Sequence, residues 1–194
     1  RHINGFAFDK TLESLVFHPK TWPIIMELTN QKPRLTSGTL QVDLPDSGGG
    51  GLHCARDDYG WESCRYEVRD NKIYCDNFVV FPYFDDVFPG DGGLLVVPGS
   101  HKASFPRPKT MFYNGNVIDT NDLPLGVINL TPRAGDVLII SELLTHGILP
   151  WNPPDRIRRI LVLRYTPQHK GGGGPSETLK ARLLSLIHIS EPTR

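Results

Sequence analysis

Glycine and proline interrupt this chain at short intervals along its whole length. The 194 residues include 19 glycines and 17 prolines. The apolar runs between them are short and rich in β-branched and aromatic residues, which favours strands joined by turns. About seven such runs, with few helical patterns, predict an all-β fold with minor α structure, as in a sandwich, a barrel or a jelly roll.

The pattern of the individual segments supports this fold class. Residues 9–30 have helical spacing and predict two short N-terminal helices, separated near Pro19. Residues 71–87, NKIYCDNFVVFPYFDDV, predict one long strand, whereas PDSGGGG at 45–51 and residues 103–126 predict loops. Further strands are predicted within LTSGTLQVDL, LLVVPGSH, VINLTPRAGDVLIISELLTHG and RRILVLRYTP.

Charge and cysteine content limit the classes of partner. The 21 Lys and Arg residues balance 21 Asp and Glu residues, which gives no basic footprint for nucleic acid. No apolar run approaches the roughly 20 residues that span a bilayer. Cys54, Cys64 and Cys75 lack CxxC spacing, which favours reduced thiols and a cytoplasmic location. We therefore expect neither nucleic acid nor a membrane as a partner, and no pattern indicates an oligomeric state.

The two ends of the chain differ in character from its middle. The opening RHINGFAFDK has neither a methionine nor an apolar signal segment, so we expect the N-terminal part of the domain to be missing. After Pro167 come a glycine run and then SLIHISEPTR, which looks like translated adapter sequence. We expect one domain over residues 1–169, and a linker with a non-native tail over residues 170–194.

The segment THGILPWNPPDRIRRILVLRY at residues 145–165 carries the first chemical signal. We expect His146 to end an apolar strand and to offer one ring nitrogen to a metal. Arg158 opens the next strand twelve positions later, and the two positions lie side by side if these strands form an antiparallel pair. An arginine there can bind a carboxylate through two parallel hydrogen bonds. Spacing alone also permits a strand end, a surface loop and solvent-facing basic residues.

Three strings, taken in order, resemble one known family. DGGLLVVPGSHK, AGDVLIISELLTHGILPW and RRILVLRYTP resemble the phytanoyl-CoA dioxygenase family, over about residue 33 to Pro167. The resemblance implies a double-stranded β-helix, which is a cupin-like jelly roll. It also implies Fe(II) held by two histidines and a carboxylate, with open positions for 2-oxoglutarate and O2. Carried over by position, His53 matches the first metal histidine, His146 the second, and Arg158 the arginine that anchors 2-oxoglutarate.

One position departs from the family pattern. The family's first metal motif is usually His-x-Asp, but this chain reads His53-Cys54-Ala55. A nearby acid could replace the missing carboxylate, and we assign Asp57 to the metal on this basis. Asp58, in the same loop, is another candidate, and so is Glu142, which we expect on the same strand face as His146. Alternatively, chloride completes the sphere as in the nonheme iron halogenases, or the iron site is weakened or lost.

The function implied is an iron- and 2-oxoglutarate-dependent dioxygenase that hydroxylates an aliphatic carbon of a small-molecule or acyl substrate, using O2. The alternatives are a halogenase-like variant with chloride in place of the carboxylate, and a non-catalytic jelly-roll binding module. We expect the neighbouring residues to be structural: His101 shapes a turn, Arg159 points away from Arg158, Cys54 points away from His53, and Trp61 and Trp151 pack or line the substrate mouth.

Overall fold

Two antiparallel sheets face each other across a shared apolar core. The computed structural model describes residues 1–59, 64–107 and 123–170. With strands numbered in chain order, the five-stranded sheet contains β1 (His2–Ile3), β2 (Pro33–Asp43), β11 (Arg158–Pro167), β6 (Phe78–Pro82) and β9 (Val137–Ser141), in that spatial order. The four-stranded sheet contains β3 (Gly50–His53), β10 (His146–Leu149), β7 (Gly93–Val96) and β8 (Ile128–Asn129).

β11 lies at the centre of the larger sheet and shows how the core is divided. It pairs with β2 along its whole length and with β6 on its other side. Side chains alternate between the two faces of a strand. Ile160 and Val162 therefore enter the core between the sheets, where they join Val96 of the smaller sheet. Leu161 and Leu163 point to the opposite face and belong to a second core cluster.

Short helices cover this outer face of the larger sheet. They are α1 (Lys10–Ser14) and α2 (Trp22–Leu28), with 3-10 turns at Gly5–Phe8 and Leu15–Phe17. Their buried residues Val16 and Ile25 pack into the second cluster. Pro23 stands in the first turn of α2. Its missing N–H costs no hydrogen bond there, because N–H groups in the first turn have no acceptor within the helix. The predicted break near Pro19 between two short helices is confirmed.

The prediction of one long strand over residues 71–87 was wrong. The structure divides this segment into β5 (Lys72–Cys75), which pairs with β4 (Tyr66–Arg69) in a separate hairpin, and β6 of the larger sheet. Asp70 and Asn71 form the hairpin turn with φ of 51° and 58°, as a tight two-residue turn requires. The N–H of Asp76 donates to Arg65 O at 2.9 Å and ends the hairpin before β6 begins. Residue propensity indicated β structure on both sides of Asp76, but it did not indicate that the two strands belong to different sheets.

The prediction that residues 45–51 form a loop throughout was wrong at its C-terminal end. β3 begins at Gly50, which pairs with Ile148 of β10. A Cβ on Gly147 would lie 3.0 Å from Gly50 O and 3.1 Å from Gly51 O. Glycine is therefore used in this strand pair for close backbone approach. This close pairing places His53, the last residue of β3, opposite β10.

Several expectations concern parts of the chain outside this description. Trp61, the centre of the 103–126 segment and residues 171–194 lie outside the described residues, so the domain division at residue 169 stays a prediction. Over the described residues there are eleven strands rather than about seven. No helix among them is both long and apolar enough to cross a membrane. All three cysteines are free thiols.

Candidate active site

Two histidines face each other where β3 and β10 pair. His53 is the last residue of β3 and His146 is the first residue of β10, and the register places them directly opposite one another. Their ring centroids lie 4.3 Å apart. A register shift follows between His146 and Ile148, and such irregularities are common next to active sites because they redirect side chains. The sheet itself therefore brings together two residues that are far apart in sequence.

Both imidazole rings are held in the same way. Nδ1 of His53 lies 3.0 Å from Gly51 O, and Nδ1 of His146 lies 2.7 Å from Leu144 O. A carbonyl oxygen only accepts, so each Nδ1 carries the donated proton. In the neutral ring, Nε2 is then the nitrogen with the free lone pair, which is the arrangement of a metal-binding histidine with an oriented second nitrogen.

The environment of His146 favours its neutral form. The residue is 7% exposed. Burial lowers the pKa of His146 below its usual value, and the charge of His53 acts in the same direction, while the carbonyl of Leu144 and Glu142 oppose the shift. A neutral imidazole is the form that binds a metal ion. At neutral pH the protein therefore presents this ring ready for coordination.

Arg158 is a buried cation with a fixed partner. The residue is 2% exposed, and its Nε and Nη2 donate to Asp43 Oδ2 at 2.9 and 2.6 Å. Gln41 Nε2 donates to the other oxygen of Asp43 at 2.8 Å. Gly93 is required beside this guanidinium, because a Cβ there would collide with Arg158 Nη1. Asp43 takes two of the five N–H groups of the arginine, and within the described residues the others are left for a second acceptor.

His146 and Arg158 lie near each other, but not through the strand pairing that was predicted. They do not lie on paired antiparallel strands: β10 belongs to the four-stranded sheet and β11 to the five-stranded sheet. The two residues instead face each other across the space between the sheets. They line one cavity of about 310 Å³, with His53, Tyr83 and Arg164. Burial raises the pKa of Tyr83 to about 12, so its hydroxyl stays protonated and can donate a hydrogen bond.

Glu142 lies beside the histidine pair, although not on the strand face of His146 as expected. It follows the end of β9 and belongs to the turn that leads into β10. Its Oε2 lies 3.8 Å from His146 Nε2, and its Oε1 accepts from Arg164 Nε at 2.9 Å. With His53 and Ala55 it lines a second cavity, of about 300 Å³. This cavity shares His53 and Arg164 with the first one.

Asp57 is placed elsewhere. Its Oδ2 accepts from Cys54 N at 2.9 Å and from Arg107 Nη2 at 2.7 Å. It lines a third cavity with Cys54, Lys102 and Phe105. Across the described ranges, no three His, Cys, Asp or Glu side chains already stand close enough together to hold a metal. The assignment of Asp57 to the metal thus stays a prediction, and its carboxylate is already engaged by other groups.

The remaining residues singled out in the sequence have structural settings. Arg159 points away from Arg158 and forms an exposed ion pair with Asp85, with Nη2 to Oδ1 at 2.6 Å. His101 packs edge-on against Tyr66 with centroids 4.5 Å apart. Trp151 is fully buried and its Nε1 donates to Arg156 O at 2.7 Å. Trp151 therefore packs in the core.

Two residues of the candidate site were not predicted from the sequence. Arg164 shares a face of β11 with Arg158, and counting in steps of two from Arg158 would have found it. Asp43, the partner of Arg158, is the last residue of β2 and pairs with it only through the register of two strands that are 115 residues apart in sequence. No local pattern indicates that pairing.

Comparisons with known proteins agree with this architecture. A family model described as phytanoyl-CoA dioxygenase (PhyH) matches residues 4–152. The crystal structure of HygX from Streptomyces hygroscopicus with nickel and 2-oxoglutarate bound has a TM-score of 0.69 and 25% identity, over 86% of this chain and 69% of that chain. The apo form of HygX gives a TM-score of 0.69 and 26% identity, over 87% of this chain and 72% of that one. No curated protein matches the chain.

A third solved structure supports the fold alone. It is the carbocyclase SnoK from nogalamycin biosynthesis, described as non-heme and α-ketoglutarate-dependent, with a TM-score of 0.57 and 20% identity over 85% of this chain and 62% of that chain. The fold is the double-stranded β-helix of the iron(II)- and 2-oxoglutarate-dependent oxygenases, a class of oxidoreductases. Within that class, the chain belongs to the phytanoyl-CoA dioxygenase family. Its cofactors are Fe(II) and 2-oxoglutarate.

Proposed function

We propose that this enzyme hydroxylates an aliphatic carbon of a small molecule, with His53 and His146 as iron ligands and Arg158 as the anchor of 2-oxoglutarate. The observation that carries the proposal is the cavity between the sheets, which has both histidines and Arg158 in its wall. The reaction is R–H + 2-oxoglutarate + O2 → R–OH + succinate + CO2. O2 is the oxidant: 2-oxoglutarate would supply two of the four electrons that it accepts, the C–H bond would supply the other two, and the bound iron would activate the O2.

The histidines fit the metal because of their tautomers. Each Nδ1 is occupied by a backbone carbonyl, so each Nε2 is the nitrogen that binds. Two neutral nitrogen ligands suit Fe(II) and leave positions for a co-substrate and O2. Since the rings stand opposite each other on paired strands, the sheet fixes their separation before any metal arrives.

Arg158 suits the far carboxylate of 2-oxoglutarate. A guanidinium that is 2% exposed binds a carboxylate more strongly than one in water. Asp43 positions the group through two hydrogen bonds and keeps the buried cation paired when no co-substrate is bound. The protonated hydroxyl of Tyr83 lies on the same cavity and can donate to the same carboxylate.

The second cavity provides a place for the substrate. It shares His53 and Arg164 with the first cavity, and neither His146 nor Arg158 lines it, so a molecule there would contact His53 without occupying the co-substrate site. Thr36 and Asn77 in its wall offer hydrogen bonds, and Phe78 offers an apolar surface. Because polar atoms make up the larger part of this wall, the cavity suits a small molecule with hydrogen-bonding groups of its own.

The test is a visible absorption titration under anaerobic conditions. Fe(II) and then 2-oxoglutarate are added, and the metal-to-ligand charge-transfer band is followed. We expect the band in the wild type, its loss in His146→Ala, and a 2-oxoglutarate affinity at least about tenfold weaker in Arg158→Ala, because charge-assisted hydrogen bonds are lost. Arg159→Ala, the adjacent surface arginine, is the matched control and should not change the affinity. After admission of O2, succinate should form in step with O2 uptake.

Two results would refute this assignment. One is a band of full strength in His146→Ala. The other is equal affinity for 2-oxoglutarate in the Arg158→Ala and Arg159→Ala variants, which would remove Arg158 from the co-substrate site.

Halogenation is the second candidate, because Ala55 puts a methyl group where the family usually has an acid. With chloride bound at that position, the reaction would be R–H + Cl⁻ + H⁺ + 2-oxoglutarate + O2 → R–Cl + succinate + CO2 + H2O, with O2 as the oxidant. The dependence of the absorption band on chloride separates the two reactions. A band that shifts with chloride supports halogenation, and one that does not supports hydroxylation.

A further inference from the structure

We propose that Glu142 supplies the carboxylate ligand of the iron site, in place of the acid that is missing at position 55. This inference rests on the proposed function, since it requires His146 to be a metal ligand. The third ligand would then come from the turn before β10. In the family motif, the acidic ligand instead lies two residues after the first histidine.

The carboxylate lies within reach of a shared ion. Ligand atoms about 2.1 Å from one divalent ion, and cis to each other, lie about 3 Å apart. Glu142 Oε2 is 3.8 Å from His146 Nε2, so a movement of roughly 1 Å brings the pair to coordination distance. The glutamate side chain is 18% exposed and has room for that movement, since it borders a cavity of about 300 Å³.

Glu142 occupies the place that an acid at position 55 would otherwise take. The N–H of Ala55 donates to Glu142 O at 2.7 Å, so the two backbones are in direct contact. Both residues line the same cavity, together with His53. A carboxylate from either position therefore enters the same space beside the histidines. An alanine at position 55 also leaves the longer glutamate free of a competing negative charge.

Arg164 orients this carboxylate without using the oxygen that would bind. Its Nε donates to Oε1 at 2.9 Å, while Oε2 is the oxygen that faces His146. Metal-binding carboxylates commonly have such a second partner, which fixes the group and leaves one oxygen for the metal. The arginine comes from the larger sheet and the glutamate from the turn into the smaller one, so the ligand is held from both sides of the cavity.

Asp57 is the competing carboxylate, and it would have to give up its present contacts. Its Oδ2 already accepts two hydrogen bonds, from Cys54 N and from Arg107 Nη2. The bond to Cys54 N holds the start of α3 (Ala55–Tyr59). Coordination by Glu142 breaks no hydrogen bond of this kind. The geometry therefore favours Glu142.

The experiment measures metal affinity directly, without turnover. Apo-protein is titrated anaerobically with Co(II), a spectroscopic substitute for Fe(II), and the ligand-field absorption gives both the Kd and the coordination type. We expect Glu142→Gln, which removes the charge but keeps the shape, to raise the Kd at least about tenfold, because even changes outside the ligand shell cost 10–100-fold. Asp57→Asn is the matched control and should stay within about threefold of wild type.

A rescue variant tests the position as well as the charge. Ala55→Asp combined with Glu142→Gln restores a carboxylate in the same space from the other backbone, and it should return the Kd close to the wild-type value. Circular dichroism confirms folding of each variant. If Glu142→Gln does not fold, Glu142→Asp takes its place: it keeps the charge but shortens the reach, and it should also bind Co(II) more weakly.

Three outcomes overturn the inference. One is a Kd for Glu142→Gln that equals the wild-type value while His146→Ala loses the metal, which leaves the histidine site intact and removes only Glu142. Another is a larger loss in Asp57→Asn than in Glu142→Gln. The third is a wild-type Co(II) spectrum that shifts on addition of chloride, which would put a halide in the carboxylate position. If wild type itself binds no Co(II), the proposed function fails together with this inference.

Discussion

The adjacent arginines Arg158 and Arg159 form the same kind of ion pair in opposite environments. Each binds one aspartate through Nε and a terminal nitrogen, Arg158 with Asp43 and Arg159 with Asp85. The side chains of the first pair are 2% and 6% exposed, and those of the second are 49% and 21% exposed. Replacing each aspartate by asparagine therefore isolates the effect of burial.

The two substitutions should differ by several kcal/mol. Asp43→Asn leaves a buried guanidinium without a counter-charge, and breaking such a pair lowers the free energy of unfolding by about 3–5 kcal/mol. Asp85→Asn breaks a solvated pair, which contributes only about 0.2–1 kcal/mol. A domain of this size loses about 2–4 °C in Tm per kcal/mol. We therefore expect Asp43→Asn to lower the Tm by roughly 6–20 °C and Asp85→Asn by less than about 4 °C.

Urea unfolding of the cofactor-free protein, followed by circular dichroism, measures both free energies. A double variant, Asp43→Asn with Arg158→Met, removes the buried cation together with its partner. It should be clearly more stable than the sum of the two single effects predicts, because the uncompensated charge is gone. If Asp43→Asn and Asp85→Asn lower the free energy of unfolding equally, burial does not determine the strength of these pairs and the reasoning is refuted.

Three further predictions concern other parts of the molecule. Gly93→Ala should weaken 2-oxoglutarate binding about tenfold or more in the anaerobic titration, because the added Cβ displaces the buried guanidinium of Arg158. Gly90→Ala is the control, since Gly90 has the same positive φ of 89° but open space around it. Equal losses of affinity in the two variants would point to backbone strain instead. Burial raises the pKa of Cys75 to about 11, so this thiol should react with an alkylating reagent far more slowly in native than in unfolded protein, as read by mass spectrometry; equal rates would contradict its burial. The hydrogen bond from Arg159 lowers the pKa of Asp85. The difference in free energy of unfolding between wild type and Asp85→Asn should therefore be constant above about pH 5 and shrink as the pH falls through the lowered pKa. A difference that does not change down to pH 2 would exclude this linkage.

The sequence predicted the class of fold because that class depends on local signals. Glycine and proline spacing marked the turns and β-branched runs marked the strands, which predicted an all-β fold. The resemblance of the motif strings to the family singled out the jelly roll among such folds, and both predictions were confirmed. Sequence reasoning failed where a segment changes sheet. Residues 71–87 are rich in β-branched and aromatic residues on both sides of Asp76, yet the chain passes there from the hairpin into β6. Propensity does not record which strand pairs with which.

The same limit applies to the candidate site. His53, His146 and Arg158 follow from the motif strings, and the structure brings all three to one cavity. Asp43 contacts Arg158 only through the register of β2 with β11, which one sequence does not reveal. Arg164, in contrast, follows from side-chain alternation along β11 once Arg158 is placed. Asp57 was chosen for its closeness in sequence to His53, and its carboxylate accepts hydrogen bonds from Cys54 and Arg107. Its assignment to the metal stays a prediction.

The way the two imidazoles are oriented has a consequence for how this site can evolve. In many metalloproteins an aspartate or glutamate holds the second nitrogen of each histidine, and a single mutation can remove it. Here both acceptors are main-chain carbonyls two residues earlier in the chain, Gly51 O and Leu144 O. No substitution deletes a carbonyl oxygen. The replacement of a neighbouring acidic side chain therefore leaves both acceptors in place, and the two imidazoles can keep their tautomer through such a change.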